Sequence, residues 1–541
     1  MADGGNPADR ASPADIRDAG AREFDAVIVG AGHNSLVAAG YLARAGLRVR
    51  VLERLGHVGG AAVSARAFTG VDVQLSRYSY LVSLLPPRIL ADLGATVRLA
   101  RRRYPSYTPD PGSAGRTGLL VGAPGAFDAV GAAADEPGFA SFYRRCRLVT
   151  GPLWPTLLEP LRTRSQARQR VLAGGDPEAA AAWHAMVDEP IGHAITAAVG
   201  SDLVRGVIGT DAVIGTFAHL DDPSLIQNIC LLYHVLGGGT GAWDVPVGGM
   251  GAVSSALADA AARNGAEIVT GAEVFAVNPD GEVRYRDVGA AGAQGGEHLV
   301  RGGFVLSGVG PAVLARLLGE PEPAMVAGAQ VKVNMVLRRL PRLRDPAVTS
   351  EQAFAGTFHV NETWTQLDAA HSRASSGRLP DPLPCEIYCH SLADSSIVSA
   401  ELPGTHTMTV FGLHTPHILG AGAGPLTESV FASLNSVLAE PIEGLLLPDA
   451  LGRPCVETTT TDDLERTLGM SAGNIFHGAL GWPFAEDDAP LDTPARRWGV
   501  DTHHPRILRC GSSAHRGGAV SGIGGHNAAM AVLASPDRPG G

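Results

Sequence analysis

The sequence has almost no lysine. Its 541 residues include 43 lysines and arginines, and Lys332 is the one lysine among them. Any reaction step that needs a lysine side chain must therefore use Lys332. The 54 acidic residues outnumber the basic ones and give a net charge of -11. Because no basic surplus is present to neutralise a phosphate backbone, we expect no nucleic acid among the partners.

Paired cysteines and long apolar runs are also missing. The six cysteines are scattered and form no CxxC pair, which argues against a disulfide scaffold, a zinc ribbon and a dithiol reductase. A reducing cytoplasm is the expected location. Histidine and cysteine spacing predicts no metal site. No 18 apolar residues run together, so we predict no membrane-spanning segment; contact with a membrane surface and a homodimer stay open.

The first 23 residues mix Asp, Arg, Pro and Gly without the apolar core of a signal peptide, and they predict a flexible tail. A βαβ unit follows this tail. The segment DAVIVG (25–30) predicts a buried strand, LVAAGYLARAG (36–46) a helix and LRVRVLE (47–53) a second strand. This order is typical of a dinucleotide-binding domain.

The turn between the first strand and the helix carries the binding fingerprint. Its glycines let backbone amides approach a pyrophosphate at the start of the helix. Glu53 ends the second strand and is placed to accept hydrogen bonds from the ribose hydroxyls of an unphosphorylated adenosine. Ser35 stands where a third glycine is usual. The predicted contacts of this turn are Gly30, Gly32, His33, Asn34 and Ser35.

Three further segments favour FAD over NAD, because a long cofactor is touched by distant parts of the chain. RLGHVGGAA follows Glu53 directly, and GAEIVTGAEVFAV (265–277) predicts a pair of strands. Near the C-terminus, RILRCGSSAHRGGAVSGIGGHNAAMAVL predicts a strand into Gly511, a glycine-rich loop and a small-residue helix. The N–H groups and dipole of that last helix suit the electron-rich edge of a reduced flavin. The predicted contacts are Arg54, Gly59, Gly60, Ala61, Val274, Gly511, Ser521, Gly522 and Ile523.

The predicted fold class is α/β, with a discontinuous arrangement of two domains. An FAD-binding domain takes residues 24–100, 245–312 and 500–535, and an α+β substrate domain takes 101–244 and 313–499. VLSGVGP (305–311) predicts a strand, a turn and a helix that close the middle FAD segment. QVKVNMVLRRL and HTMTVFGLH alternate with period two and predict strands of the substrate domain. The segment GGMGAVS (248–254) predicts a helix near the flavin rather than a second nucleotide site.

The sequence resembles the phytoene desaturase-related flavoproteins, and within them the branch named for a pyridine nucleotide-disulfide oxidoreductase domain. The matching stretches include VIVGAGHNSLVAAGYLARAG, VLERLGHVGGAA, GNIFHGAL and CGSSAHRGGAVSGIGGHNAA, and they extend over nearly the whole chain. The resemblance implies a glutathione-reductase-like FAD fold related to amine oxidases and carotenoid desaturases. Arg516 and His526 depart from the usual residues of the last stretch and are expected beside the flavin.

Three side chains are candidates for catalysis. Lys332 lies in VKVNMVL, which resembles the amine-oxidase strand whose lysine reaches flavin N5 through a water; a snorkelling edge lysine is the alternative. His515, in the C-terminal loop, and His477, in GNIFHGAL, are candidates for a base or for positioning the substrate. Arg101, Arg102 and Arg103 are interpreted as a solvated charge run rather than a gate. SYLVSLLPPRIL (79–90) is interpreted as core, with a hydrophobic entrance as the alternative.

The resulting hypothesis is an FAD-dependent oxidoreductase, a dehydrogenase or desaturase. It passes a hydride from a C–C or C–N bond of a largely apolar small molecule to flavin N5, as the resemblance implies. A flavin-dependent isomerase of a polyene-like substrate, with no net redox change, is the alternative. A non-enzymatic flavin-bearing interaction protein is the third hypothesis, and an intact cofactor fingerprint argues against it.

Overall fold

The computed structural model describes residues 22–289 and 294–537. Most of the predicted tail, residues 1–21, lies outside the described residues, and the first strand already begins at Arg22. Two large sheets organise the molecule, and helices cover them. Within the described ranges the strands are β1 (Arg22–Val29), β2 (Val49–Glu53), β3 (Ser64–Ala65), β4 (Leu75–Ser76), β5 (Leu99–Ala100), β6 (Ser106–Pro109), β7 (Gly118–Leu120), β8 (Val245–Pro246), β9 (Glu267–Thr270), β10 (Ala272–Val277), β11 (Glu282–Val288), β12 (Gln294–Ser307), β13 (Val331–Leu337), β14 (Thr357–Val360), β15 (Cys385–Tyr388), β16 (His406–Gly412), β17 (Val456–Thr459) and β18 (Ile507–Arg509).

The α-helices cluster between 136 and 236 and are otherwise interleaved with the strands. None of the described helices is long and apolar enough to cross a bilayer. The helices are α1 (His33–Arg44), α2 (Pro87–Leu93), α3 (Ala126–Ala129), α4 (Glu136–Leu153), α5 (Arg164–Leu172), α6 (Ala179–Trp183), α7 (Ile191–Ala198), α8 (Asp202–Gly209), α9 (Ile226–Leu236), α10 (Met250–Arg263), α11 (Pro311–Leu318), α12 (Ser350–Ala353), α13 (Trp364–Ser375), α14 (His390–Ala393), α15 (Ala423–Val437), α16 (Thr461–Leu468), α17 (Pro494–Trp498) and α18 (Ile523–Leu533).

The first sheet has a parallel layer in the order β9-β2-β1-β12-β18. The beginning of the long strand β12 leaves this layer and pairs antiparallel with β11, which pairs with β10. The predicted strands at 265–277 are therefore present but do not pair with each other, which corrects that expectation. The inner strands β1 and β2 are buried on both faces, as continuous apolar runs such as AVIV require, whereas the edge strand β9 is partly exposed.

Small residues let two helices pack closely against this layer. α1 contacts both α10 and α18. A Cβ atom added at Gly525 of α18 would collide with the main-chain oxygen of Asn34 in α1. The last helix of the chain therefore lies directly on the helix that follows the first strand, and a glycine is needed where the two backbones meet.

The second sheet has the order β17-β13-β16-β15-β14-β6-β7. All its pairs are antiparallel except β14 with β6. The predicted strands around Lys332 and Thr409 form the neighbouring pair β13 and β16, in which Lys332 lies opposite Phe411. β13 is buried at every position, so Lys332 is no snorkelling edge residue. Overall, the predicted mixed α/β class is confirmed.

Candidate functional site

One cavity of about 660 Å³ lies at the carboxyl ends of the parallel strands. Residues at or just after the ends of β1, β2, β12 and β18 line it, and so do side chains of β13, β15 and β16 from the second sheet. Ligands of open parallel sheets bind at this edge, and the volume is within the range of small-molecule and cofactor sites. The cavity therefore joins the predicted dinucleotide fingerprint to the predicted substrate region.

The fingerprint turn has the geometry that its sequence predicts. Gly30 has a φ of 86°, a conformation that favours glycine. α1 begins at His33, so the N–H groups of its first turn have no helical acceptor and face the end of β1. Glu53 accepts hydrogen bonds from the Ala31 N–H at 2.7 Å and from the Leu55 N–H at 2.8 Å. These two bonds fix the carboxylate and leave acceptor capacity for a ribose.

The serine at the third fingerprint position fits without moving the helix away from the strand. Ser35 is buried, and its Oγ lies 3.7 Å from the Sγ of Cys510. A Cβ atom added at Gly308 would collide with this Oγ. A glycine after β12 thus provides the space that a glycine at position 35 provides in the usual fingerprint.

Two buried polar atoms support a dinucleotide ligand in this cavity. Oδ1 of Asn34 and Nδ1 of His477 have no hydrogen-bond partner among the described residues, and both side chains line the cavity. Buried polar atoms normally have partners, so a ligand with hydrogen-bonding groups fits here. In addition, Nε2 of His33 lies 3.2 Å from the Ala519 oxygen. The fingerprint and the C-terminal loop therefore meet at the same cavity.

Most of the predicted cofactor residues line this cavity. Those that line it are Gly30, Gly32, His33, Asn34, Ser35, Glu53, Arg54, Gly60, Ala61, Val274 and Gly511. The remaining four lie behind its wall. Gly59 donates its N–H to the Ala31 oxygen at 2.8 Å and holds the two glycine turns together. Ser521, Gly522 and Ile523 form the start of α18, whereas the preceding Ala519 and Val520 are the residues that reach the cavity.

Lys332 lies on the cavity wall with its nitrogen held by the main chain. Its Nζ donates hydrogen bonds to the Ser76 oxygen at 2.8 Å and to the Tyr78 oxygen at 2.7 Å. Burial lowers the pKa of Lys332 well below its ordinary value. One position of the nitrogen is left over, either the third N–H of the ammonium or the lone pair of the amine, and it is available to a water or a substrate.

An aromatic wall surrounds the nitrogen of Lys332. Nζ lies 5.7 Å from the ring centre of Tyr80 and 5.2 Å from that of Phe411. The Tyr80 ring contacts those of Tyr388 and Phe411, with centres 4.0 and 4.7 Å apart. Tyr80 belongs to the segment 79–90, of which Leu81 and Leu84 also line the cavity. The segment also packs in the core, where Leu85 and Ile89 are buried, so the expected core packing and the alternative of a hydrophobic lining each describe part of it.

The sequence analysis missed a histidine–aspartate pair beside this wall. Nε2 of His234 lies 3.2 Å from Oδ1 of Asp211, and the His234 ring packs against Trp243. Burial lowers the pKa of His234 to about 3 and raises that of Asp211 to about 7. His234 lines the cavity as a neutral imidazole. The two residues are distant in sequence and belong to no motif, so nothing in the chain singled them out.

Arg102 corrects the interpretation of the three arginines as a solvated run. Arg101 and Arg103 are exposed, but Arg102 is half-buried and lines the cavity. Its Nε donates to the Trp243 oxygen at 2.9 Å, and its Nη1 donates to Oγ1 of Thr357 at 2.8 Å. Arg102 therefore fixes the main chain at Trp243, whose ring packs against His234.

The candidate histidines differ in their placement. His477 lines the cavity, and burial lowers its pKa to about 4. The His515 ring lies behind the wall, where its Nε2 is 3.0 Å from the Phe484 oxygen. The expected position of Arg516 and His526 beside the flavin is not supported. Nη1 of Arg516 donates to the oxygens of Thr156 and Glu159 at 2.6 and 2.7 Å, and neither Arg516 nor His526 lines the cavity.

This architecture is similar to that of known proteins. The NAD(P)-binding Rossmann-like domain family matches residues 28–89. Wild-type putrescine oxidase bound to putrescine has a similar fold, with a TM-score of 0.54 at 15% identity over 95% of this chain and 99% of that one. The chain therefore shares its overall fold with putrescine oxidase.

Two relatives match over nearly their full length. An uncharacterized protein of Mycobacterium tuberculosis is 70% identical over 95% of this chain and 97% of its own. The pyridine nucleotide-disulfide oxidoreductase domain-containing protein 2 of Rattus norvegicus is 32% identical over 94% of this chain and 93% of its own. Identity of this level from the fingerprint to the C-terminal helix shows that the chain belongs to the family of the pyridine nucleotide-disulfide oxidoreductase domain-containing protein 2.

Proposed function

We propose that the chain is an FAD-dependent dehydrogenase or desaturase that takes a hydride from a C–C or C–N bond of a largely apolar small molecule. One observation carries this proposal: a single cavity is lined at one end by the fingerprint and Glu53 and at the other by Lys332 and the aromatic wall. When bound, FAD supplies the hydride acceptor. The fold shared with putrescine oxidase supports the same kind of chemistry.

In this proposal, one sheet holds the cofactor and the other holds the substrate. The segments 24–100, 245–312 and 500–535 hold the cofactor, because they contain the parallel layer and its fingerprint. The segments 101–244 and 313–499 hold the substrate, because β13, β15 and β16 carry Lys332, Tyr388 and Phe411. The rings of Tyr80, Tyr388 and Phe411 exclude water and favour an apolar substrate.

Dehydrogenation removes a proton together with a hydride, so the site needs a proton acceptor. The neutral imidazole of His234 fits this role, since it lines the cavity and its Nε2 lies 3.2 Å from Oδ1 of Asp211. His477 is a second candidate on the same cavity. Lys332 holds a water or a substrate atom at its remaining hydrogen-bonding position. His515 is a support for the loop that carries Phe484.

The test uses the purified full chain. We expect yellow protein with the visible absorption of oxidised flavin, released as FAD on denaturation, and bleaching under anaerobic conditions when a substrate is added. The product should be lighter than the substrate by two hydrogens. A flavin-dependent turnover with unchanged product mass would favour the isomerase alternative. Folded protein that takes up no FAD would overturn both.

A further inference from the structure

A second group of polar side chains lies behind the aromatic wall, outside the cavity. His359 on β14 and Glu386 on β15 are directly opposite each other in the antiparallel strand pair. Glu362 follows β14 by two residues, just before α13. One ring nitrogen of His359 and one carboxylate oxygen each of Glu362 and Glu386 lie within 4.8 Å of one another. The pairing of two strands and one turn thus brings three residues of metal-ligating types together.

All three side chains are buried, with exposures of 3% for His359 and 1% for each glutamate. Two of them are oriented by neighbours. Nδ1 of His359 lies 3.1 Å from Oγ1 of Thr108, while Tyr388 donates to Oε2 of Glu386 at 2.7 Å. Such outer contacts are those that fix the ring and the carboxylate of a metal ligand. The arrangement is preset without any ion.

Glu362 has no such support. Neither of its carboxylate oxygens has a hydrogen-bond partner among the described residues, although the side chain is fully buried. A buried carboxylate without a partner is costly, since both its desolvation and its hydrogen bonds are uncompensated. Its carboxylate belongs to the same group as His359 and Glu386. Its oxygens are therefore available to a ligand.

The two glutamates have no cation paired directly with them in the described part of the chain. The positively charged Arg102 lies nearby, but its Nε and Nη1 donate to Trp243 and Thr357. Two carboxylates and one imidazole carry two negative charges when ionised, and one divalent cation balances them.

We propose that His359, Glu362 and Glu386 bind one divalent first-row metal ion, with zinc or manganese as the best matches to one imidazole and two carboxylates. Metal bonds of about 2.1 Å place ligand atoms up to about 4.2 Å apart, so the side chains need to close only slightly. The ion stabilises the wall, because Glu386 holds the hydroxyl of Tyr388 and Tyr388 packs against Tyr80. This inference does not depend on the proposed function.

A second group, at the surface, provides a matched control. Glu320 lies near His503 and His504, with Oε1 3.0 and 2.7 Å from their Nε2 atoms. These residues already hydrogen-bond to one another and are partly exposed. The buried group differs in having an unpartnered carboxylate. Glu320→Gln therefore removes a carboxylate from a similar set of residue types and leaves the buried group unchanged.

The experiment measures metal in the full chain purified without chelator or histidine tag. We expect about one zinc or manganese per chain by elemental analysis, retained in Glu320→Gln and lost in Glu362→Gln. Because Glu362→Gln risks misfolding, the wild-type chain is also stripped with chelator and titrated with zinc or manganese alone. We expect one equivalent to raise the unfolding midpoint by several degrees, and Co²⁺ to give visible d–d absorption.

The outcomes separate the possibilities. Metal lost in Glu320→Gln and kept in Glu362→Gln would place the ion at the surface and overturn the proposal. No metal in the purified chain together with no midpoint shift on titration would also overturn it, and would indicate that the two glutamates share protons. Metal that is lost in both Glu362→Gln and His359→Gln but retained in Glu320→Gln establishes the site.

Discussion

Nζ of Lys332 donates to the main-chain oxygen of Tyr78 at 2.7 Å, across the gap between the second sheet and the segment that leads into the aromatic wall. This bond fixes the single lysine of the chain at the cavity rather than at a sheet edge. Burial keeps its pKa well below the ordinary value. The position and the protonation state of Lys332 are thus set by the same packing.

Replacing Lys332 tests its role in the reaction. We expect Lys332→Met to slow flavin reduction or reoxidation, measured by stopped-flow absorbance. It should also lower the free energy of unfolding by about 1–3 kcal/mol, because two buried carbonyl oxygens lose their donor. Asn334→Ala is the matched control, since Asn334 lies on the same strand and bonds the Arg77 oxygen at 3.2 Å. Unchanged rates in Lys332→Met would make Lys332 purely structural.

The carboxylate of Glu53 is expected to contribute to cofactor affinity. Glu53→Ala should weaken FAD retention by about 1–3 kcal/mol, since a charged acceptor for the ribose and the bond to the Ala31 N–H are both lost. FAD content after dialysis measures the effect. Glu267→Gln is the control: it removes an acid from the adjacent strand β9 that pairs with Arg50 instead of facing the cavity. Full FAD occupancy in Glu53→Ala would contradict the assignment.

His234 is expected to act as the proton acceptor. His234→Gln should lower the rate of anaerobic flavin reduction by about 10²–10⁴-fold, the usual contribution of general base catalysis. Asp211→Asn keeps a hydrogen-bonding partner for the imidazole and should have a smaller effect. His193→Gln is the control because its ring is largely exposed and pairs with Glu189 at the surface. If His234→Gln and His193→Gln reduce flavin equally fast, another group takes the proton.

Acid should destabilise the folded chain strongly. Burial lowers the pKa of His33, His390 and His477 to about 4 and that of His414 to about 3. The unfolded state therefore binds more protons below pH 6.5, and each such histidine costs about 1.4 kcal/mol per pH unit as the pH falls towards the folded pKa. The stabilisation is fully present above pH 6.5.

Urea unfolding at pH 7, 6 and 5 measures this dependence. Buried acids with raised pKa values, such as Asp211, act in the opposite direction, but the buried histidines outnumber them. His414→Gln should reduce the slope by up to about 1.4 kcal/mol per pH unit. A flat profile between pH 7 and 5 would contradict the prediction.

Sequence patterns were sufficient for the parts of the site that depend on local spacing. The turn from Gly30 to Ser35 and the position of Glu53 follow from one βαβ unit, whose period and glycines are visible in the chain. The arrangement of His234 with Asp211, and of His359 with Glu386, depends on strand pairing and helix packing between distant segments. No periodicity encodes such pairings. The same reason explains why Arg102 was assigned to solvent.

Arg516 and His526 were expected to lie beside the flavin, but neither lines the cavity. They stand in the stretch that resembles the family most closely, so sequence position suggested a place beside the flavin. The guanidinium of Arg516 instead points away and bonds the oxygens of Thr156 and Glu159. A glycine-rich loop changes direction at several residues, and side-chain orientation within it cannot be counted from the sequence.

The contact between α18 and α1 has a consequence for synthesis on the ribosome. β18 and α18 complete the layer that β1 begins, and Gly525 fits against Asn34. The fingerprint emerges from the ribosome well before the segment that closes it. Stable capture of the cofactor is therefore expected only after α18 has emerged, and a truncated polypeptide ending before residue 507 should leave translation as an apoprotein that is exposed to proteases.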